Sequence, residues 1–237
     1  MIGPKRLYQR IQNVIRSTRG SIKNYRILSS GFGQMNSMRK MQSVDRDSNP
    51  VPWFTYPAIE YLKQLDFTGK RVFEFGSGNS TMFWAGRAKQ VVAVEEDKIW
   101  YNRMKSQLPS NVEYILTEDR QAYIDSITKQ EGVFDIIVND GIYRYDCAVA
   151  ARPKLADDGF IILDNSEWCV KTSGYYRDCD LIEVDMSGFG PINTYSWITS
   201  FYFTRNVKLK SAHAVQPTYG VGGEVLSDEV LGEWIQG

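Results

Sequence analysis

The stretch Arg71-Val72-Phe73-Glu74-Phe75-Gly76-Ser77-Gly78-Asn79-Ser80-Thr81 decides how the rest of the chain is read. It opens with alternating bulky residues suited to a buried strand and then breaks into a Gly-Ser-Gly turn. The apolar run Met82 to Ala88 that follows reads as a helix. Strand, glycine turn and helix in that order are the layout of a nucleotide-binding loop. The glycines let the backbone approach a ligand, and the helix start offers unpaired N–H groups. A second strand, Gln90 to Val94, ends in Glu95-Glu96-Asp97. A carboxylate at that tip, ~20 residues beyond the turn, is where this layout grips a ribose diol. The competing reading is a glycine-tight turn that holds no ligand.

The loop has the spacing Glu-x-Gly-x-Gly-x-Ser and lacks the third glycine of a dinucleotide fingerprint. A helix start facing a pyrophosphate is not helped by an acidic residue beside it, whereas Glu74 suits a cation. S-adenosylmethionine (SAM) carries one, an ammonium group beside a carboxylate. At these residues the sequence resembles the class I SAM-dependent methyltransferases, whose first motif has the acidic-x-Gly-x-Gly form. The resemblance implies SAM as cofactor, held by Glu74, Gly76, Ser77, Gly78, Ser80 and Glu95, with Tyr56, Glu96, Asp119 and Asp140 completing the set. Asp119, in Thr117-Glu118-Asp119, is expected near the adenine amine.

A chain of 237 residues fits one sizeable domain that can bury both faces of a sheet. No apolar run approaches the ~20 residues of a membrane span, and the polar N-terminus has no signal-peptide core. Cys147, Cys169 and Cys179 are an odd number without a Cys-x-x-Cys pair, which reads as reduced thiols and a cytoplasmic location.

Charge is unevenly spread although the net is zero. Nine of the 28 basic residues precede Asp45, with no acidic residue among them, and the rest of the chain has a balance of −9. A basic arm on an acidic body could meet nucleic acid, anionic lipid or an acidic substrate, or dock on its own body. Within it, Leu7, Ile11, Val14 and Ile15 predict an amphipathic helix over Lys5 to Arg16. Ser29 to Asn49 reads as a loop, either a lid over a substrate or a passive connector. Residues 1–50 are thus set apart from a SAM-binding domain over 51–205 and a tail over 206–237. The tail contains Gly220-Val221-Gly222-Gly223 and a short helix near Leu231.

Between Val51 and Arg205 the pattern is regular. Pro50-Val51-Pro52-Trp53-Phe54-Thr55-Tyr56-Pro57 is held extended by its prolines and leads into a helix over Ala58 to Leu65. This segment resembles one upstream of the SAM loop in bacterial methyltransferases of small-molecule or glycan pathways. Helices are expected over Lys98 to Leu108, Gln121 to Gln130 and Cys147 to Leu155, the last ended by Asp157-Asp158-Gly159. Strands are expected over Asn111 to Leu116, Phe134 to Val138 and Phe160 to Leu163. Strict alternation of strand and helix argues an α/β, Rossmann-like, doubly wound parallel sheet. Leu181 to Asp185 and Ser196 to Thr204 have no helix between them, so they form an antiparallel hairpin that completes a seven-stranded, mostly parallel sheet. Ligands collect at the strand C-terminal ends, where Gly76, Glu95, Asp119, Asp140 and Asp164 all fall.

Methyl transfer to a hydroxyl needs an aligned acceptor and a group to take its proton. The sole histidine, His213, lies in the tail and reads as a surface residue. The catalytic candidates are therefore Asp140, Tyr143 and Asp164, with Tyr145 in reserve. Asp140, Asp164-Asn165 and Trp168 also look like the metal-binding set of the catechol and caffeoyl-CoA O-methyltransferases, which would bring Mg²⁺ to Asp140, Asp164 and Asn165. That family has a lysine where this chain has Tyr143, followed by Arg144, and Mg²⁺ is not the favoured reading. Asn139-Asp140-Gly141-Ile142 is not the Asn/Asp-Pro-Pro-aromatic turn of adenine methyltransferases, and Cys147 lacks the preceding proline of cytosine C5 enzymes. Nucleic acid is not the expected acceptor. The expected one is a hydroxyl of a small polar molecule or glycan, held between the Trp53 segment, Tyr143, Trp168 and the Phe189 loop. A transferase of another SAM-derived group, a NAD enzyme, a SAM-binding module without catalysis, and association of like copies stay open alternatives.

Overall fold

Arg71–Phe75 forms the first strand, β1, of a seven-stranded sheet in a computed structural model that describes residues 4–224. The others are β2 (Gln90–Glu95), β3 (Val112–Leu116), β4 (Phe134–Asn139), β5 (Leu155–Asp164), β6 (Ile182–Gly188) and β7 (Trp197–Phe203). Their spatial order is β3-β2-β1-β4-β5-β7-β6. β1 pairs in parallel with β2 and β4, and β2 with β3 and β4 with β5 do the same. β7 runs antiparallel between β5 and β6. The order of the strands reverses between β1 and β4, and the crevice beyond their C-terminal ends is where open α/β sheets take ligands.

Alternation along the strands builds two cores. Val72, Val91, Val138, Ile162 and Phe201 face the helices α3 (Tyr56–Lys63) and α4 (Asn79–Ala85), which add Ile59, Leu62, Phe83 and Trp84. Phe73, Phe75, Val94, Ile137, Leu163 and Tyr202 face the other way. There they meet α6 (Arg120–Asp125), α7 (Arg144–Ala151) and α8 (Val170–Asp178) through Tyr123, Ala148 and Tyr176. With α5 (Lys98–Lys105), helices cover both faces, as buried parallel strands require.

Several boundaries differ from the sequence reading. The basic N-terminal helix α1 runs over Pro4–Arg26, ten residues beyond Arg16, as the amphipathic pattern continues through Ile22 and Tyr25 alongside Arg19, Lys23 and Arg26. It is followed by a wide turn, Ile27–Gly31. A helix α2 (Gln34–Lys40) stands where a loop is expected. Its buried residues are Gln34 and Ser37, so hydrophobic periodicity cannot reveal it. Ser37 Oγ donates to the Val44 carbonyl at 2.6 Å, and Gln34 Nε2 donates to the carbonyls of Gly190 at 3.0 Å and Asn193 at 3.1 Å. Asp157-Asp158-Gly159 does not end a helix. It lies inside β5, which starts at Leu155, and the pairing with β4 shifts register between Phe134 and Ile136 to accommodate it. After β7 the chain turns back along the end of α3, where the Asp66 N–H meets the Lys210 carbonyl at 2.8 Å. The helix expected near Leu231 lies outside the described residues.

Candidate active site

At the end of β1 the backbone passes through Gly76 at φ +93°, a left-handed conformation that disfavours a side chain. Space is tight as well, since a Cβ there would stand 3.2 Å from the Gly141 Cα. A Cβ on Gly141 would stand 2.0 Å from the Tyr123 hydroxyl. The turns after β1 and β4 are thus packed backbone against backbone. Glu74, on the strand side of the turn, is 1% exposed. It accepts a hydrogen bond from Thr81 Oγ1 at 2.5 Å, and Thr81 Oγ1 accepts from the Gly78 N–H at 3.0 Å. Burial pushes the Glu74 carboxyl up to about 8; hydrogen bonds from Ser80 and Thr81 oppose this, while the charges of Asp140 and Glu95 add to it. A buried carboxyl among like charges is a place that a cationic ligand would satisfy.

Glu95, at the end of β2, is also buried. Its Oε1 accepts from the N–H groups of Glu96 and Asp97, both at 3.0 Å, and its Oε2 from Ser77 Oγ at 2.5 Å. Ser77 Oγ is in turn 2.7 Å from the Tyr114 hydroxyl on β3. Trp100 on α5 donates its Nε1–H to the Ser77 carbonyl at 2.9 Å. Burial raises the Glu96 carboxyl from its usual range, with Glu95 and Asp97 adding to the effect. Glu74, Gly76, Ser77, Ser80, Glu95, Glu96 and Asp140 line one cavity of about 270 Å³.

The ends of β4 and β5 are joined by one side chain. Arg144 donates to the Asp140 carboxylate at 3.0 Å and to the carbonyls of Asp140 at 3.1 Å and Gly141 at 3.0 Å. It also donates to the Asp164 carbonyl and reaches Asn165 Oδ1 at 3.4 Å. Asp140 keeps about a quarter of its side chain accessible. Burial still pushes its carboxyl up to about 6, against the pull of Arg144. Asp164 is 3% exposed, and its Oδ1 accepts from Trp197 Nε1 at 3.0 Å and Thr199 Oγ1 at 2.5 Å. Burial, and then the neighbouring Asp140, hold it well above the usual carboxylate range.

This arrangement does not fit Mg²⁺. The Asp140 carboxylate, the Asp164 main-chain carbonyl and Asn165 Oδ1 converge on the Arg144 guanidinium, a fixed cation, and the Asp164 carboxylate is turned to Trp197 Nε1 and Thr199 Oγ1, where a divalent ion would need open lone pairs. Among the described residues no group of three His, Cys, Asp or Glu side chains stands close enough to hold a metal.

A second cavity, of about 640 Å³, opens beside the first. Met41, Gln42, Ser43 and Val44 form one wall, and Asn79 Nδ2 fastens this segment to the start of α4 by donating to the Ser43 carbonyl at 2.6 Å. Trp53, Trp100, Trp168, Tyr195 and Trp197 supply aromatic surface; Asn79, Arg103, Gln107 and Asn193 supply polar groups. The two cavities share Ser77, Ser80, Trp100 and Asp140. Among these four, Asp140 is the ionisable side chain.

Three residues of the sequence-based set fall elsewhere. Tyr56 is buried under the N-terminal segment, stacked on Phe32 at 4.3 Å between centroids. Pro57 fixes the start of α3 so that the Tyr56 ring enters the core. Asp119 caps α6, accepting from the Ala122 N–H at 2.7 Å. Tyr143 lies against Tyr123 at 6.1 Å and under the Arg120 guanidinium at 4.9 Å, and it lines neither cavity. Gly78 lines the larger cavity, as do Trp53 and Trp168, whereas Phe189 lines neither. His213 is exposed. The residues that sequence reasoning passed over are Trp100, Tyr114, Arg144 and Trp197. Arg144 had a signal, a cation four residues after Asp140, while the others are brought in only by packing.

No protein-family model matches the sequence, and no curated protein matches it either. Solved structures do match in shape. The precorrin-6y C5,15-methyltransferase of Geobacter metallireducens aligns with TM-score 0.51 at 11% identity, over 62% of this chain and 86% of that one. The precorrin-8w decarboxylase of Methanobacterium thermoautotrophicum aligns at 0.46 and 18%, over 67% and 94%. The N-methyltransferase NodS of Bradyrhizobium japonicum aligns at 0.45 and 14%, over 57% and 85%. The chain has the Rossmann-like fold of the class I SAM-dependent methyltransferases.

Proposed function

We propose that this protein transfers the methyl group of SAM to a hydroxyl of a small polar or sugar-like acceptor. The observation that carries the reading is Asp140, a carboxyl raised to about 6 in the wall between two adjoining cavities. Bound SAM supplies a methyl group already activated by its sulfonium, which departs as a neutral thioether. In the smaller cavity Glu74 faces the ammonium group, and the Glu95 tip takes the ribose. Oε1 of Glu95 is committed to two backbone N–H groups, so Oε2 meets one ribose hydroxyl in place of Ser77 Oγ, and Glu96 accepts from the other. Glycines 76 and 78 and Ser80 border the amino-acid end.

The acceptor sits in the larger cavity. Trp53, Trp100 and Trp168 offer flat apolar faces that suit one side of a sugar ring, and Asn79, Gln107 and Asn193 offer hydrogen bonds to its hydroxyls. As the acceptor oxygen forms its bond to the methyl carbon, its proton passes to the Asp140 carboxylate. Arg144 keeps that carboxylate oriented and ionised near neutral pH. Asp164, pinned by Trp197 and Thr199, stays in place beside it. Radiolabelled SAM incubated with the protein and a panel of mono- and disaccharides, phenols and amino sugars tests the reading. Label transferred to a hydroxyl supports it, and transfer only to amino groups overturns the acceptor class.

A further inference from the structure

Among the described residues, helix α1 (Pro4–Arg26) lays no side chain into the body of the fold. Every described side chain on it from Lys5 to Arg26 is exposed, including Tyr8, Ile11, Val14, Ile15, Ile22 and Tyr25. Tyr8, Ile11, Ile15, Ile22 and Tyr25 fall at three-, four- and seven-residue intervals with Val14 beside them, so they share one stripe. The helix also carries seven basic residues, Lys5, Arg6, Arg10, Arg16, Arg19, Lys23 and Arg26, and no acidic one. By helical spacing, Arg19 and Lys23 follow one margin of the stripe and Arg10 the other.

The root of the helix adds a second feature, in which some of the same cations line a cleft. Arg19, Lys23 and Arg26 converge with Arg46 on a cleft of about 560 Å³, beside the apolar Ile22, Ile27 and Val221. Arg46 has an acidic neighbour, Asp47 at 3.6 Å, but both side chains are exposed. The cleft is held in shape by the glycine-rich segment after β7. Gly222 lies directly against the Ile27 side chain, and the Val221 N–H donates to Glu60 Oε2 at 3.0 Å.

We propose that α1 and this cleft dock the protein on a membrane surface rich in anionic phospholipid. The stripe enters the boundary between headgroups and acyl chains, the marginal cations reach up to the phosphates, and the cleft at the root receives a headgroup. No helix among the described residues is long and apolar enough to cross a membrane, so the contact is with the surface. Other occupants satisfy only part of the pattern. Two copies of α1 packed along their stripes would bring two all-basic helices together, with no acid at the flanking positions where paired helices place one. Nucleic acid would take up the cations and leave the apolar stripe in water.

Sedimentation of the full chain with vesicles tests the proposal. The protein should pellet with phosphatidylcholine–phosphatidylglycerol vesicles, stay in solution with phosphatidylcholine alone, and be released by salt. Arg19→Glu with Lys23→Glu, and separately Ile11→Asp with Ile15→Asp, should each weaken vesicle binding ~10-fold or more. All four side chains are exposed, so the fold of the body is expected to persist, which an unchanged melting temperature verifies. Equal binding to neutral vesicles, or none to anionic ones, overturns the proposal. A lipid-free dimer that Ile15→Asp dissociates overturns it in favour of a second copy. Retention by RNA that anionic vesicles fail to compete away overturns it in favour of nucleic acid.

Discussion

The Arg144 guanidinium lies 3.0 Å from the Asp140 carboxylate and at the same time bonds the main-chain carbonyl of Asp164, so one cation ties together the ends of β4 and β5. The proposed role of Asp140 as base rests on this pair, in which a cation orients and lowers a carboxyl that burial raises. Asp140→Asn should retain SAM binding and lower kcat by ~10²–10⁴-fold. A calorimetric titration run beside a turnover assay separates the two effects.

The same pair fixes a pH dependence. A base must be ionised to act, so turnover should fall as pH drops through about 6, the value to which burial raises Asp140. Arg144 pulls that value down, so Arg144→Met should move the acid limb of the rate profile to higher pH. Arg144→Lys should move it less. A limb that stays put in Arg144→Met would assign it to another group.

Glu74 gives a stability prediction whose sign is set by its raised carboxyl. Its folded value of about 8 lies above the ordinary 4.5, so its contribution to stability is complete below about pH 4.5 and is lost as pH rises through about 8. Glu74→Gln removes the buried ionisation while keeping the shape. The variant should melt above the wild type at pH 9 and close to it at pH 5, without ligand. Equal melting temperatures at both would mean that Glu74 is not buried from water as described.

At the tip of β2, Glu95→Ala should weaken SAM binding ~10–100-fold, because two backbone N–H groups and Ser77 lose their acceptor along with the ribose. Glu96→Ala should cost less, ~10-fold, since it removes the acceptor of one ribose hydroxyl and leaves the Glu95 carboxylate in place. The reverse order, measured by the same titration, would make Glu96 the principal ribose contact.

The sheet was legible because its signals are local. Val72, Phe73 and Phe75 alternate, Gly76 breaks the strand, and Glu95 follows at the distance a βαβ unit requires. The seven strands accordingly fall close to their expected places, although β5 begins earlier because Asp157, Asp158 and Gly159 read as a stop but sit in a strand with shifted register. The walls of the larger cavity were not legible. α2 is fixed by buried Gln34 and Ser37 bonding to chain more than 150 and seven residues away, respectively, which no period of hydrophobicity records. Trp197 reaches Asp164 across β5 and β7, a contact made by the antiparallel pairing alone. Tyr56 and Tyr143 stand apart from both cavities for the complementary reason. The helix start at Tyr56 puts that ring in the core against Phe32, and the helix start at Arg144 leaves Tyr143 partly exposed against Tyr123, so that neither ring lines a cavity.

Titration calorimetry with SAM at pH 7, repeated in buffers of different ionisation enthalpy, tests the central claim most directly. Glu74 is protonated there without ligand, since its carboxyl stands at about 8, and an ammonium group beside it favours the carboxylate. The account predicts saturable binding of SAM and S-adenosylhomocysteine that releases close to one proton, with the release abolished in Glu74→Gln. Binding of NAD but not SAM, or SAM binding with the same proton count in Glu74→Gln as in the wild type, would contradict it.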